Sequence, residues 1–483
     1  MLTSFSFFSA CLLLVRSAFA SPAGIARWVT GEARWGTLTV APPRAHLETG
    51  QAGEQDSPSR VLNEWSGLSA SVLPLAASKE HNGRIFFYLM HEITMEGVAL
   101  TISQASFEPR LFDIAGCGDE SSAVDAQDPR CAKATFMGKV VPCDAECEEI
   151  AKEALFATHP AMEHWPDNHD FHAHELILDS VWMISGFGGG NEISSEEYYK
   201  AGESSHQIDE GQSVDPPSES SSLTMPDWNN TVARSRWITH HSRWGTISTM
   251  HHDDHEGQYF GNIRSVTDGP YCESSSGRPI FQFPDADPSA RDLSRTDNMI
   301  AISFSEASIS ARNSATGVPC GGEDAGSPTC GQLILYGHAE PLDSSSWKYK
   351  NALRWFRETH PLAPWLSKGG SHMQGKYYTI AIRKILILDY FGGYKEVSVG
   401  DYLQYDMSYH IGHYCQGYSS SDDSHSDHSM SGLESSKDVS YPVLYAGLFC
   451  LAVAVFVLAK DRWGSDRTTK QPTYNAVGSG EAC

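Results

Sequence analysis

The chain has 483 residues, of which 35 are lysine or arginine and 60 are aspartate or glutamate, so its formal net charge at pH 7 is −25. This excess of carboxylates argues against a nucleic-acid-binding protein, because phosphate contacts need a basic surface and the sequence contains no basic patch. A hydrophobic fraction of 40%, with 12 Trp, 19 Tyr and 20 Phe residues, excludes a wholly disordered or collagen-like chain.

The first 20 residues have the features of a signal peptide. An apolar run at residues 5–15 precedes Ala18-Phe19-Ala20, a pattern of small residues that signal peptidase accepts. We therefore expect residues 1–20 to direct the chain into the secretory pathway and to be removed.

Beyond this segment the chain carries two copies of one pattern, at residues 24–201 and 232–407. The longest match pairs Arg27-Trp28-Val29-Thr30 and Arg34-Trp35-Gly36-Thr37 with Arg236-Trp237-Ile238-Thr239 and Arg243-Trp244-Gly245-Thr246. Further pairs follow in the same order: Cys131 with Cys330, Gly138 with Gly337, His159-Pro160 with His360-Pro361, and Phe187-Gly188-Gly189 with Phe391-Gly392-Gly393. Each copy is far longer than a solenoid repeat, so the pattern predicts a duplicated domain.

Within each copy, apolar segments predict strands and one amphipathic segment predicts a helix. The predicted strands are 98–106, 134–141 and 175–185 in copy one, and 298–306, 332–336 and 377–390 in copy two. The predicted helices are 144–158 and 344–359, each ended by a His-Pro pair. Several strands with one helix in about 170 residues favour a β-barrel decorated with helices.

Two polar segments flank copy two. Residues 202–231 are rich in Ser, Glu, Asp and Pro and predict an acidic linker. Residues 408–440 are rich in Ser, Asp and His and predict a solvated stalk.

The segment 441–459 is uncharged and mostly apolar. As a helix it would be roughly 28 Å long, close to the hydrocarbon thickness of a bilayer. Lys460 and Arg462 follow it directly, while acidic residues precede it, which predicts a cytoplasmic tail at 460–483. The sequence therefore predicts a single-pass type I membrane protein with both repeats in the lumen or outside the cell.

In that tail, Tyr474 and Val477 have the tyrosine-x-x-apolar spacing of clathrin-adaptor sorting signals. An extended tail could add a strand to an adaptor, with pockets for the two side chains. We therefore expect traffic between the cell surface and endolysosomes.

Several motifs resemble the CREG family of secreted glycoproteins. They are Ala151-Lys152-Glu153-Ala154-Leu155-Phe156, His159-Pro160-Ala161-Met162-Glu163-His164-Trp165-Pro166, His169, Phe187-Gly188-Gly189 and Glu196-Glu197-Tyr198-Tyr199 in copy one, with Leu388-Asp389-Tyr390-Phe391-Gly392-Gly393 in copy two. The resemblance covers both copies and leaves out the stalk, the apolar segment and the tail.

The resemblance implies a mainly β fold with α-helices, made of two split β-barrels like that of pyridoxamine-phosphate oxidase, a flavin-mononucleotide (FMN) enzyme. It also implies a non-catalytic secretory or lysosomal glycoprotein without a cofactor, acting through protein or glycan contacts, whose two barrels pair within the chain. An FMN-dependent oxidoreductase is the alternative. The duplication and the tether depart from the family, and copy one is shorter between Phe87 and Val98 than copy two between Phe281 and Asn298.

No residue is predicted to be catalytic or to bind a cofactor. The repeated arginines Arg27, Arg34, Arg236 and Arg243 could hold a flavin phosphate, but salt bridges or stacking on the neighbouring tryptophans are favoured. The glycines at 186–190 follow a predicted strand, where a tight turn is favoured over a phosphate loop.

Two histidine clusters have ligand types that zinc or copper accepts, namely His251-His252-Asp253-Asp254-His255 and the set His164, His169, His172 and His174. The first cluster has no counterpart in copy one, and several members of the second match positions that do not bind metal in the family. No metal site is predicted.

The cysteines suit an oxidising compartment. Cys117 with Cys131, and Cys320 with Cys330, occupy equivalent loops and are predicted to form disulfides. Cys143 with Cys147 is a third candidate, with a zinc site as its alternative, and Cys272 with Cys415 remains by exclusion.

One N-glycosylation sequon is present, Asn229-Asn230-Thr231 at the end of the linker. Asn229 is therefore the predicted glycosylation site. A single sequon gives little support to uptake through the mannose-6-phosphate receptor.

Overall fold

The structure is a computed structural model that describes residues 21–40, 69–107, 117–118, 124–203, 225–250, 259–270, 273, 275–294, 297–309, 320, 323–361, 363, 366 and 375–408. The predicted signal peptide, apolar segment and tail signal at Tyr474 and Val477 lie outside these ranges, as does most of the stalk. Within the described ranges, no helix has the length and apolar character needed to cross a membrane.

Copy one forms a barrel with three helices. Its elements are α1 (Pro22–Glu32), β1 (Trp35–Val40), β2 (Ser69–Pro74), β3 (Ala76–Ser78), β4 (Arg84–Met90), β5 (Met95–Ser103), β6 (Lys133–Pro142), α2 (Ala145–Thr158), β7 (Phe171–Ile184), β8 (Asn191–Ser194) and α3 (Ser195–Lys200).

Copy two forms a second barrel in which one continuous strand stands where copy one has β2 and β3, and in which one helix is added. Its elements are α4 (Thr231–His241), β9 (Trp244–Met250), β10 (Tyr259–Thr267), β11 (Ile280–Pro284), α5 (Pro288–Leu293), β12 (Met299–Ser305), β13 (Gln332–Pro341), α6 (Trp347–Thr359), β14 (Gly375–Leu388), β15 (Lys395–Glu396) and α7 (Val399–Gln404). The added helix α5 accounts for the greater length of copy two after Phe281.

Strand order closes each sheet on itself. In barrel one the order is β2-β1-β5-β6-β7-β4-β3, with β8 paired to β7, and only Leu75 separates β2 from β3 along the chain. In barrel two the order is β11-β10-β9-β12-β13-β14-β15, and antiparallel pairing of β11 with β14 closes the circuit. The structure thus has the expected mainly β architecture with two barrel-like sheets.

A matched irregularity explains one repeated glycine. The pairing register shifts between Met137 and Gly138 in β6, and between Tyr336 and Gly337 in β13. A β carbon on Gly138 would overlap the backbone of Ile177, and one on Gly337 would overlap that of Ala381. The glycine that follows Cys131 or Cys330 at equal spacing in the two copies therefore allows the β-bulge.

Each barrel has its own apolar core. In barrel one the largest fully buried rings include Phe87, Phe136 and Tyr198, and in barrel two they include Trp237, Phe281 and Tyr402. The tyrosines come from α3 and α7, so these short helices cover one end of each barrel together with α1 and α4.

Helices α1 and α4 differ from the sequence prediction, which placed one helix in each copy. Residues 233–241 of α4 are all buried, although they include arginines, histidines, Ser and Thr. A helix buried on every side has no apolar stripe, so its periodicity is not visible in the sequence.

Candidate functional site

The two barrels belong to one compact unit and share a contact surface, here called the seam. It joins β1, β2, β5 and β6 to β9, β10, β12 and β13. At its centre Trp35 and Trp244 stack with ring centroids 5.8 Å apart and an interplanar angle of 8°. Around them pack Val72 with Ile263 and Ala126 with Ala325, which occupy equivalent positions in the two copies. These contacts provide the expected pairing of the barrels within the chain.

Paired hydroxyl groups continue the seam beside the tryptophans. Thr37 Oγ1 lies 2.8 Å from Thr246 Oγ1, and Thr39 Oγ1 lies 2.7 Å from Ser248 Oγ. Each pair joins equivalent residues of the two copies, as expected near a two-fold axis. The Arg-Trp-Gly-Thr half of the repeated motif therefore supplies the centre of the seam.

Two His-Asp contacts cross the seam in opposite directions. His360 Nδ1 of copy two lies 2.7 Å from Asp125 Oδ2 of copy one, and His360 Nε2 lies 2.8 Å from Val266 O. Reciprocally, His159 Nδ1 of copy one contacts Asp324 Oδ2 of copy two, and His159 Nε2 lies 2.9 Å from Leu75 O. The His-Pro pairs of both copies thus tie the end of the helix before them, α2 or α6, to the other barrel.

The His-Asp contacts have the geometry of salt bridges. Both nitrogens of each ring face oxygens, Nδ1 the carboxylate of the other copy and Nε2 a backbone carbonyl. Although burial raises the pKa of Asp125, the charge of His360 and hydrogen bonds from His360 and Ser265 outweigh it and lower that pKa below its usual value. For Asp324, burial is likewise outweighed by the hydrogen bond and charge of His159, so its pKa is lowered too.

The copies differ where β6 and β13 begin. Lys133 Nζ is buried and donates to Ala126 O and Asp128 O, both at 3.0 Å. Burial, together with the nearby charge of Arg264, lowers the pKa of Lys133 to about 7. Copy two has Gln332 at this position, where its Nε2 donates to Ala325 O at 3.2 Å. Lys133 and Gln332 thus donate to equivalent alanine carbonyls, and the lysine has the same structural role in copy one as the glutamine has in copy two.

The arginines that start the repeated motif act inside each barrel. Arg27 Nη1 donates to Ala201 O at 3.1 Å, and its guanidinium lies 5.5 Å from the Tyr198 ring centroid. Arg236 Nη1 donates to Tyr402 O at 3.1 Å, and its guanidinium lies 5.2 Å from that ring centroid. The expected stacking thus uses tyrosines of α3 and α7 instead of the neighbouring tryptophans.

The surroundings of these two arginines are closely packed. Gly83 and Gly277 have positive φ, and a β carbon on either would overlap the guanidinium of Arg27 or Arg236. The hydroxyls of Tyr198 and Tyr402 donate to the carbonyls of these glycines at 2.9 Å. Arg27 and Arg236 therefore do not fit the role of holding a flavin phosphate.

The second pair of repeated arginines lies nearer the seam. Arg34 is close enough to Asp324 to contribute to the lowering of its pKa. Arg34 O accepts from Leu75 N, and Arg243 O accepts from Val266 N, both at 2.9 Å. Leu75 and Val266 are the residues whose carbonyls accept from the seam histidines. These arginines belong to the same structural network.

The glycine-rich segments form the tips between β7 and β8 and between β14 and β15. Four of their glycines, Gly188, Gly189, Gly392 and Gly393, have positive φ, as the expected tight turns require. The phenylalanines in these tips, Phe187 and Phe391, are 62% and 64% exposed. They belong to no described core cluster and are, with Trp347, the most exposed large apolar side chains of the described residues.

Copy-one histidines lie around the tip that joins β4 to β5. Asp170 accepts from His172 Nε2 at 2.9 Å and from His91 Nδ1 at 3.1 Å, while His174 Nε2 accepts from Ile93 N at 3.2 Å. Burial lowers the pKa of His174. Over the residues that the structure describes, no group of His, Cys, Asp and Glu side chains is arranged to hold a metal ion. The cluster at 251–255 lies outside those residues.

Three disulfides are present in the described residues, joining Cys117 to Cys131, Cys143 to Cys147 and Cys320 to Cys330. Cys272 and Cys415 lie outside these residues. Asn229 lies in an exposed turn directly before α4, where its backbone N–H donates to Asp227 Oδ1 at 3.2 Å.

The sequence matches the family described as CREG, beta-barrel, at residues 18–200 and 226–404. Protein CREG2 of Mus musculus is 31% identical over 196 residues, covering 38% of this chain and 67% of the mouse protein. Protein CREG1 of Gallus gallus is 29% identical over 195 residues, covering 40% of this chain and 93% of the chicken protein. Protein CREG2 of Homo sapiens is 37% identical over 78 residues, covering 16% of this chain but only 27% of the human protein.

Several solved structures align with part of this chain. A heme binding protein from Mycobacterium smegmatis aligns over 38% of this chain and 62% of its own, with a TM-score of 0.27 and 15% identity. A Clostridium acetobutylicum protein related to general stress protein 26, of the pyridoxinephosphate oxidase family, aligns over 37% of this chain and 99% of its own, with a TM-score of 0.25 and 11% identity. Similarity at this level does not indicate which ligand, if any, this chain binds. The family match covers both barrels, and the chain belongs to the CREG family.

Proposed function

We propose that this protein is a non-catalytic glycoprotein of the secretory and endolysosomal route, anchored by segment 441–459, that acts through protein or glycan contacts of its paired barrels. One observation carries the proposal. A catalytic site present in both copies would be expected to use polar residues that are repeated in both. The repeated polar residues described above instead make contacts within the fold. Arg27 and Arg236 hold the ends of their barrels, while His159 and His360 join the barrels.

The proposed compartment is supported by the chemistry of the cysteines and by the sequence signals at both ends. Disulfides persist in oxidising compartments, and those within the barrels suit a lumenal domain. A lumenal contact protein in an acidic compartment must keep its barrels paired, and the lowered pKa values of Asp125 and Asp324 favour ionised carboxylates there.

Membrane anchoring is tested by alkaline carbonate extraction of cells that express the full chain. We expect the chain to stay in the membrane pellet, while a variant that ends before residue 441 is released into the lumenal fraction. Release of the full chain by carbonate would overturn the anchor.

Endolysosomal traffic is tested by Tyr474→Ala, with Thr473→Ala as a matched control. We expect the first variant to accumulate at the cell surface and to internalise more slowly, because an adaptor pocket for the tyrosine ring would be empty. The control should behave like the wild type. Equal surface levels and uptake rates in all three proteins would remove this part of the proposal.

Partners are sought by proximity labelling from the lumenal side of the full chain. The proposal predicts a reproducible set of lumenal proteins or glycoproteins that is reduced when His360→Ala weakens the pairing of the barrels. Labelling that is unchanged by this variant would contradict a role for the paired barrels.

A further inference from the structure

Barrel two carries an exposed group of aromatic side chains, here called the aromatic cluster. Its members are Trp228, Tyr390 and Phe391, which are 45%, 38% and 64% exposed. Trp228 precedes α4, while the other two lie at the tip between β14 and β15. The chain therefore brings together rings from two segments that are distant in sequence.

The cluster is held in place by specific contacts. Trp228 and Tyr390 stack with ring centroids 4.4 Å apart and an interplanar angle of 18°, and Phe391 lies edge-on to Tyr390 at 5.3 Å. Lys395 Nζ lies 5.5 Å from the Trp228 ring centroid and donates to Asp389 Oδ1 at 3.1 Å. The rings are thus fixed before any ligand arrives, which reduces the entropy lost on binding.

The corresponding tip of barrel one lacks this cluster. There Gly186 occupies the position of Tyr390, and only Phe187 remains. The sequon is absent as well, since Ala20 stands where Asn229 does when the helix N-caps Ser21 and Asn230 are aligned. Tyr390 and the sequon therefore both lack a counterpart in copy one, although Phe19 stands at the position of Trp228 in the same alignment.

Asn229 is the neighbour of the cluster residue Trp228 along the chain. It is exposed and follows Trp228 directly in the turn before α4. A sugar attached to its side chain would start within one residue of the stacked rings. A pyranose presents C–H groups on one face and hydroxyls around its rim, so it can pack on an aromatic ring while its polar groups stay in water.

We propose that the N-linked glycan of Asn229 packs its first sugar residues on the aromatic cluster. This inference rests on the glycosylation of Asn229 that belongs to the proposed function. The packing covers apolar surface that would otherwise remain open on a secreted domain. It also fixes the direction in which the glycan leaves barrel two.

The test measures how fast a peptide N-glycosidase releases the glycan from the native full chain, purified in detergent from glycosylating cells. Release requires the sugar to leave the rings, so its rate follows the population of the unpacked state. An aromatic contact contributes about 0.5–1.5 kcal/mol, so we expect release to be roughly two- to tenfold faster in Tyr390→Gly and Phe391→Ala.

Phe187→Ala is the matched control, because it removes an equally exposed phenylalanine from the tip that has no sequon. Its release rate should equal that of the wild type. All variants should release the glycan equally fast after denaturation, and unchanged near-ultraviolet circular dichroism should show that they are folded.

A full chain without glycan mass at Asn229 would overturn both the glycosylation and the packing. A glycan that is present but released from native Tyr390→Gly and Phe391→Ala at the wild-type rate would overturn the packing alone.

Discussion

His360 and Asp125 form an ion pair across the seam, with His360 Nδ1 2.7 Å from Asp125 Oδ2, and both side chains are at least nine-tenths buried. The equivalent pair, His159 and Asp324, leaves its carboxylate 27% exposed. The duplicated chain thus has the same contact twice, but the carboxylate of Asp125 is more deeply buried than that of Asp324. The two histidines are therefore expected to contribute unequally to stability.

Replacement of His360 by alanine should destabilise the paired barrels more than replacement of His159. His360→Ala leaves the Asp125 carboxylate buried without its cation, which costs about 3 kcal/mol. His159→Ala leaves Asp324 with access to water, so a smaller loss is expected. The free energy of unfolding from urea titrations of the full chain measures both.

His172→Ala provides the matched control for these histidine variants, since His172 pairs with the largely exposed Asp170. Its effect should stay below about 1 kcal/mol. Equal, small losses in all three variants would contradict the structural importance of the seam pairs.

The stability contributed by the two seam carboxylates should persist at endolysosomal acidity. Asp125 and Asp324 have pKa values below the ordinary value in the folded state. Their contribution is therefore complete above the unfolded value of about 3.9 and is lost as the pH falls through the lower folded values.

Urea unfolding at a series of pH values measures this contribution as the difference between wild type and Asp125→Asn. That difference should still be present at about pH 5 and should shrink below about pH 4. A difference that already disappears between pH 7 and pH 5 would contradict the assignment.

Lys133→Gln should remove a pH dependence at the alkaline side. The folded pKa of Lys133 is lowered to about 7, whereas an unfolded lysine titrates near about 10.4. Between these values the unfolded chain binds more protons, so the stability of the wild type rises with pH. The glutamine variant, which copies Gln332 of barrel two, should lack this rise. Identical stability profiles from pH 7 to about pH 9.5 would refute the prediction.

The disulfides Cys117–Cys131 and Cys320–Cys330 should each contribute roughly 2 to 4 kcal/mol. Peptide mapping without reduction should recover both pairs, each within one barrel. Recovery of free thiols at these positions, or of a bond between the copies, would show that the pairing is wrong.

The sequence predicted the duplication, three strands in each copy and the late helix, because these depend on apolar periodicity and repeated spacing. It did not predict the remaining strands or the helices α1 and α4, since a helix such as α4, whose residues 233–241 are all buried, has no exposed polar face. The final strands also begin a few residues earlier than predicted, because polar residues such as His172 and His174 continue β7 beyond its apolar part.

The contacts of the seam histidines could not be predicted from the sequence. His159-Pro160 and His360-Pro361 were recognised as helix stops, but their carboxylate partners lie 165 and 235 residues away along the chain. One signal was available, since Asp125 and Asp324 both stand six residues before an aligned cysteine. Only the arrangement of the two barrels shows that each aspartate serves the histidine of the other copy.

The absorption spectrum of the purified full chain tests most directly whether the barrels hold a flavin or act through contacts alone. The chain should show no flavin band in the visible range, and titration with FMN should leave the flavin fluorescence and the unfolding temperature unchanged. A flavin band at a stoichiometric level, or saturable FMN binding that stabilises the wild type, would contradict the non-catalytic role.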